Sequence, residues 1–175
     1  MGILFLIAKS VWYILPAYMA NNTPVFARKI DFLNYPVSEK LFGKNKTYRG
    51  FFFGVIMGIL IAYFQAYLYS SEAIKSISLV DYSNVNVFFL GFLMGAGALS
   101  GDIVKSFIKR RIGIAPGKPW IPFDQTDFLI GALLFVSIIY LPKTEVIVTI
   151  FLVMPFIKLI LDQIGYLLGI NKVRL

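Results

Sequence analysis

At 175 residues, 58% hydrophobic and only 15% charged, with a mean hydropathy of +0.77, the chain is too apolar for a water-soluble domain, which normally carries about 25% charged residues. Its formal net charge of +8 would suggest nucleic acid in a soluble protein; here the basic residues fall between apolar runs, which excludes nucleic acid as a partner and points to membrane lipids and their anionic headgroups. With no His and no Cys, disulfides, zinc–thiolate sites and imidazole chemistry are excluded, and any metal or proton chemistry must come from Asp, Glu, Lys, Tyr, Ser or Thr.

Roughly 20 apolar residues span a bilayer, and five segments are predicted as transmembrane helices: about 2–21, 50–70, 86–109, 124–141 and 144–169. The first lacks a basic leader and reaches spanning length, so it reads as a helix and not a cleaved signal. The fourth and fifth are joined by a tight turn at Leu141, Pro142 and Lys143. The reading is an all-α integral membrane protein with a single transmembrane catalytic domain over 1–175. Loops 22–49 and 110–123, with Lys109 just before the second, and the tail hold twelve basic residues, from Arg28 and Lys29 to Lys172 and Arg174, against Lys75 and Lys143 on the other side. This asymmetry places the N-terminus outside, the C-terminus in the cytoplasm, and both loops on the cytoplasmic face of the cell membrane. Gly54/Gly58, Gly91/Gly95 and Gly97/Gly101 are G-x-x-x-G pairs suited to close helix packing; the last abuts a polar cluster and is expected also to leave space for a ligand.

That cluster ends the third predicted helix. At 100° per residue Asp102, Lys105, Ser106 and Lys109 share an arc of about 100°, with Ile103, Val104, Phe107 and Ile108 filling the other side. A carboxylate at that depth costs several kcal/mol unless paired, roughly, so Asp102 reads either as the partner of Lys105 or as part of a site. Asp124 and Asp127, one turn apart at the start of the fourth predicted helix, read as helix-start acids or, with Asp102, as a carboxylate set for Mg²⁺, which bridges substrate phosphates. Lys105, Lys109, Arg110 and Lys118 then hold phosphate oxygens. Nucleotidyl transfer needs these parts and no histidine.

Lys44, Lys46, Thr47, Arg49 and Gly50 open the second predicted helix, where basic residues and Thr suit phosphate. There is no Walker-A glycine pattern. Asn21 and Asn22, closing the first, either contact a nucleotide or cap the helix. Lys158 and Asp162, at i and i+4 in the last, form either a neutralising ion pair or part of the site wall. A small transporter is disfavoured because the polar residues gather at one face and no inverted repeat is visible.

Over nearly its whole length the chain resembles the CDP-archaeol synthase family, the archaeal branch of the phosphatidate cytidylyltransferase superfamily. The resemblance rests on PAYMANN at 16–22, KTYRG at 46–50, GDIVKSFIKRR at 101–111 and DQTD at 124–127. Ser106, Lys109, Arg110, Lys118, Asp124 and Asp127 match the superfamily signature in order. The His-Gly-Gly of bacterial and eukaryotic members is absent, and Gln125 replaces the arginine between the aspartates. The resemblance implies that CTP reacts with an isoprenoid glycerol ether lipid phosphate, 2,3-bis-geranylgeranylglycerol 1-phosphate, to give the CDP-lipid and pyrophosphate. The residue pattern together with that reaction leads to the expectation of Mg²⁺ on Asp102, Asp124 and Asp127, catalytic support from Lys105 and Lys109, and substrate contacts from Asn21, Lys46, Thr47, Arg49, Gly50, Gly101, Ser106, Arg110 and Lys118.

Overall fold

The computed structural model describes residues 2–116 and 118–169. Its helices are α1 (Ile3–Phe26), continued by a 3-10 turn at Ala27–Lys29, α2 (Glu39–Phe42), α3 (Tyr48–Leu68), α4 (Glu72–Ile77), α5 (Val87–Arg111), α6 (Phe123–Val136) and α7 (Thr144–Leu167). Among the described residues no strand forms, and the one isolated bridge joins Pro36 to Thr47. Lys172 and Arg174, used in the charge count, lie outside the described residues.

Among the described residues four segments are long and apolar enough to cross a bilayer: 3–29, 48–68, 87–111 and 144–167. Their outer faces carry exposed apolar side chains such as Leu60, Phe64, Leu152, Phe156 and Ile160. Such a surface suits hydrocarbon, and the chain is a multi-pass membrane protein.

Two expected boundaries move. The fourth expected span, 124–141, is helical only over α6, whose 14 residues reach about 21 Å at 1.5 Å per residue against a core of about 30 Å. The cause is local. Leu141 precedes Pro142 and is biased out of helical geometry, while the Ser137 hydroxyl donates to Leu134 O at 2.7 Å, so residues 137–139 run on as turns. The first helix, expected to close near residue 21, continues to Phe26. The Asn22 amide donates to Tyr18 O at 2.9 Å and the Thr23 hydroxyl to Met19 O at 2.8 Å. Polar groups that look like a terminus thus serve the helix's own carbonyls, and Asn21 and Asn22 do not cap its end.

Helix packing uses small residues, as expected where lipid supplies no hydrophobic drive between helices. α3 meets α5 where Gly58 faces Gly91 and Gly95; a Cβ at Gly58 would lie 2.8 Å from Gly91 O. α5 meets α6 more closely still. A Cβ at Gly101 would lie 2.2 Å from Asp127 O, and one at Gly131 would lie 2.1 Å from Gly97 O. Gly101 therefore leaves no ligand space: its missing side chain is filled by the α6 backbone.

The buried core runs through α1, α5, α6 and α7, with Tyr13, Ile14, Leu90, Met94, Phe128, Leu129 and Ile150 at its centre. The loop after α4 is tied in by a buried chain of hydrogen bonds, Tyr82 Oη to Gln65 Oε1 at 2.8 Å and Gln65 Nε2 to Trp12 O at 2.6 Å. This leaves the opposite end of the bundle, where α5 ends and α3 and α6 begin, to form an open polar cavity.

Candidate active site

The polar stripe of α5 faces the start of α6, because the Gly101–Asp127 approach fixes their separation. The Lys105 ammonium stands at the meeting point. Its Nζ lies 3.0 Å from Asp102 Oδ1, 2.9 Å from Asp124 Oδ1 and 2.9 Å from Asp127 Oδ2. Three carboxylates within reach of one nitrogen can stand no further apart than twice such a contact. Asp102 also pairs through Oδ2 with Lys46. Asp124 accepts from Lys109 Nζ at 3.0 and 2.9 Å and from the Trp120 backbone N–H at 2.5 Å. It sits inside the first turn of α6, whose cap position is Pro122, so its oxygens serve the cluster and not the helix start.

The cluster opens onto a cavity of about 550 Å³ lined by α1, the 28–47 segment, α5, the 116–124 loop and α7. Nine cationic side chains line it (Arg28, Lys44, Lys46, Arg49, Lys105, Lys109, Arg110, Lys118 and Lys158) against the carboxylates Asp102, Asp124 and Asp162. That excess of positive charge is a receptor for a polyanion. A smaller recess of about 40 Å³ beside it is lined by Pro24, Thr47, Gly50 and Asp102, among others.

Most of the expected residues arrive at this place, with local differences. Asn21, Lys46, Thr47, Arg49, Ser106, Arg110 and Lys118 line the main cavity, and Gly50 lines the recess. The Thr47 hydroxyl already accepts from Gly50 N–H at 3.1 Å as the cap of α3, and Ser106 Oγ donates to Asp102 O at 2.8 Å. Arg49 donates from Nη1 to Ile30 O at 2.6 Å, tying the 30–47 segment over the cavity. Arg110 keeps Nε and Nη1 buried without a partner, as an anion-binding guanidinium would. Gly101 packs between helices and does not line the cavity. Arg28 was legible only as a topology charge, Lys44 as part of the basic run before the second predicted helix, and Lys158 and Asp162 as one of two readings; all four line the cavity. Gln125, where the superfamily has arginine, is buried with Oε1 unpartnered.

Among the described residues no three carboxylates form a ready-made metal cage, since the Lys105 ammonium lies between them. The donor set nevertheless fits Mg²⁺, which is held by one or two carboxylates together with substrate phosphates. Asp127 is the clearest sign. Its side chain is 4% exposed, and neither oxygen accepts a well-formed hydrogen bond, so a second cation there would satisfy lone pairs that Lys105 alone does not.

Comparisons with known proteins give the family. The CarS-like CDP-archaeol synthase family model matches residues 3–175. A CDP-archaeol synthase of Methanocaldococcus jannaschii is 40% identical over 176 residues, 96% of this chain and 97% of that protein. Another, of Pyrococcus furiosus, is 39% identical over 86% of this chain and 87% of its own. A solved structure of an intramembrane enzyme for archaeal membrane lipid biosynthesis superposes with a TM-score of 0.66 at 28% identity, covering 87% of this chain and 91% of that one. The chain belongs to the CDP-archaeol synthase family of cytidylyltransferases.

Proposed function

We propose that the protein transfers CMP from CTP to the phosphate of an archaeal glycerol ether lipid, 2,3-bis-geranylgeranylglycerol 1-phosphate, with release of pyrophosphate. The observation that carries this reading is the convergence of Asp102, Asp124 and Asp127 on Lys105 at the floor of a strongly cationic cavity. A lipid phosphate oxygen bonds to the α-phosphorus of CTP, the bond from that phosphorus to the bridging oxygen of the β-phosphate breaks, and pyrophosphate departs. No general base is required, because the attacking phosphate is already ionised near neutral pH.

Asp102, Asp124 and Asp127 would hold Mg²⁺, which supplies charge neutralisation to the triphosphate and leaving group. The chain's own cations do the positioning. Lys46, Arg49, Arg110 and Lys118 surround the phosphates, and Lys105 and Lys109 compensate charge that grows at the α-phosphorus and the leaving oxygen. Because the cavity walls are fixed by helix packing, these groups need little reorganisation when substrate arrives.

The charge asymmetry supports five passes, an external N-terminus and a site open to the cytoplasm; α6 with its following turns supplies the short fifth crossing. Sealed membrane vesicles test substrate and sidedness together. With α-labelled CTP added outside, inverted vesicles form labelled CDP-lipid when the ether lipid phosphate is present, right-side-out vesicles form little, and EDTA stops the reaction reversibly. Transfer that ignores the added lipid phosphate, or that is equal in the two orientations, overturns the proposal.

A further inference from the structure

The transfer reading uses the loop cations and the α5–α6 cluster but leaves Lys158 and Asp162 without a task. They lie one turn apart on one face of α7, and both line the cavity. α7 packs against α1 and α6, so these two residues form the side of the cavity away from α3. The Lys158 ammonium stands 4.8 Å over the ring of Phe128, a fully buried residue whose ring also meets Tyr18 at a centroid distance of 6.0 Å. The charges acting on Lys158 are Asp127, Asp162 and Asp102, opposed by Lys105. It is thus a cation on an aromatic shelf, beside the reaction centre and not within its tight ion-pair cluster.

The two substrates of this reaction arrive differently. A triphosphate comes from water, where Arg28, Lys44, Lys46 and Arg49 line the cavity. A phosphate carried on a lipid comes from the bilayer, and the outer face of α7, with Leu152, Phe156 and Ile160 exposed, is bilayer-facing. Lys158 stands on the inner face of the same helix, about 200° round from Phe156 and Ile160 at 100° per residue, so a phosphate group entering the cavity past the edge of α7 meets it as the cavity-lining cation of that helix. It also needs a cation there, because Asp127 and Asp102 would otherwise repel it.

We infer that Lys158 binds the phosphate monoester of the lipid substrate at the α7 wall of the cavity, while the cations of the 28–49 segment take the triphosphate. This rests on the CMP-transfer reading and deepens it by separating the two phosphate subsites.

The test is steady-state kinetics of the full-length protein in lipid nanodiscs, with lipid phosphate and CTP varied independently, plus equilibrium binding of labelled CTP without lipid. Lys158→Met is expected to raise KM for the lipid phosphate about tenfold to a hundredfold, the value of one charge-assisted hydrogen bond. KM and the dissociation constant for CTP should stay within about twofold. Lys158→Arg, which keeps the charge, should hold the lipid KM within about threefold. If Lys158→Met does not yield folded protein, Lys158→Gln carries the same expectation with a polar tip in place of the methyl.

An unchanged lipid KM in the neutral variant overturns the subsite. So does a parallel loss of CTP affinity, which would make Lys158 a neutraliser of Asp127 only. A wild-type protein that transfers CMP to no lipid phosphate would instead sink the underlying reading.

Discussion

Asp102→Asn leaves a folded, membrane-inserted protein whose CMP transfer is reduced by about a thousandfold or more, equivalent to about 4 kcal/mol of barrier. The substitution keeps the shape of the side chain and one oxygen, able to accept from Lys105 where Oδ1 now does at 3.0 Å, but it sets an amide nitrogen, a donor, against the other lysine, Lys46. It removes the negative charge that both lysines neutralise and that a divalent ion requires. Asp102 lies nine residues before the end of α5, about 14 Å into the helix, at a depth where an unpaired carboxylate is costly. Lys105 keeps Asp124 and Asp127 as partners, so the variant should still fold, with a melting temperature lowered by only a few degrees, about the shift of 1 kcal/mol. Parallel measurement of turnover and thermal unfolding decides the matter: near-normal turnover would remove Asp102 from the metal-binding role, and gross unfolding would make it a structural ion pair.

Gly101→Ala carries the second large effect, by a different route. The added methyl would sit 2.2 Å from Asp127 O and 3.3 Å from Gly131 Cα. Both obstacles are backbone of α6, so no rotamer change relieves the clash and the helices must separate. Overpacking of this kind costs about 1–3 kcal/mol. The functional loss is larger, because moving α6 carries Asp124 and Asp127 away from Lys105, and a displacement of about 1 Å costs about a hundredfold in rate. Gly2→Ala is the control, since nothing lies within 4 Å of its added Cβ. Activity and thermal stability of the two variants, measured together, should fall for Gly101→Ala alone; a Gly101→Ala protein as active as its control would mean that the α5–α6 contact does not set the geometry of the site.

That contact also marks where sequence reading stops. The α5 stripe was legible because a helix of 3.6 residues per turn puts Asp102, Lys105, Ser106 and Lys109 on one side by spacing alone. Which helix faces the stripe was not. Gly101 signals close packing, but only the three-dimensional arrangement shows that its partner is the Asp127 carbonyl. A shared site for Asp124, Asp127 and Asp102 was therefore suggested by shared depth and not by periodicity, and that all three meet at Lys105 was not legible. The ends of α1 and α6 were misplaced for related reasons. Asn22 and Thr23 bond back to Tyr18 and Met19, so polar residues prolong a helix they would ordinarily end. Ser137 and Pro142 shorten one whose apolar composition runs on to Leu141. Arg28 and Lys44 could be counted as topology charges, since positive-inside bias and phosphate binding draw on the same residue types at the same face.

A Mg²⁺ titration of CMP transfer in wild-type protein and in Asp127→Asn reaches the central point, because Asp127 is the carboxylate least served by its present partners. If three carboxylates from two helices share a divalent ion with the substrate phosphates, the variant will need about tenfold more Mg²⁺ or more for half-maximal rate. Its CTP saturation at high Mg²⁺ should be restored at least in part. An Asp127→Asn protein with wild-type Mg²⁺ dependence and wild-type rate would contradict the account.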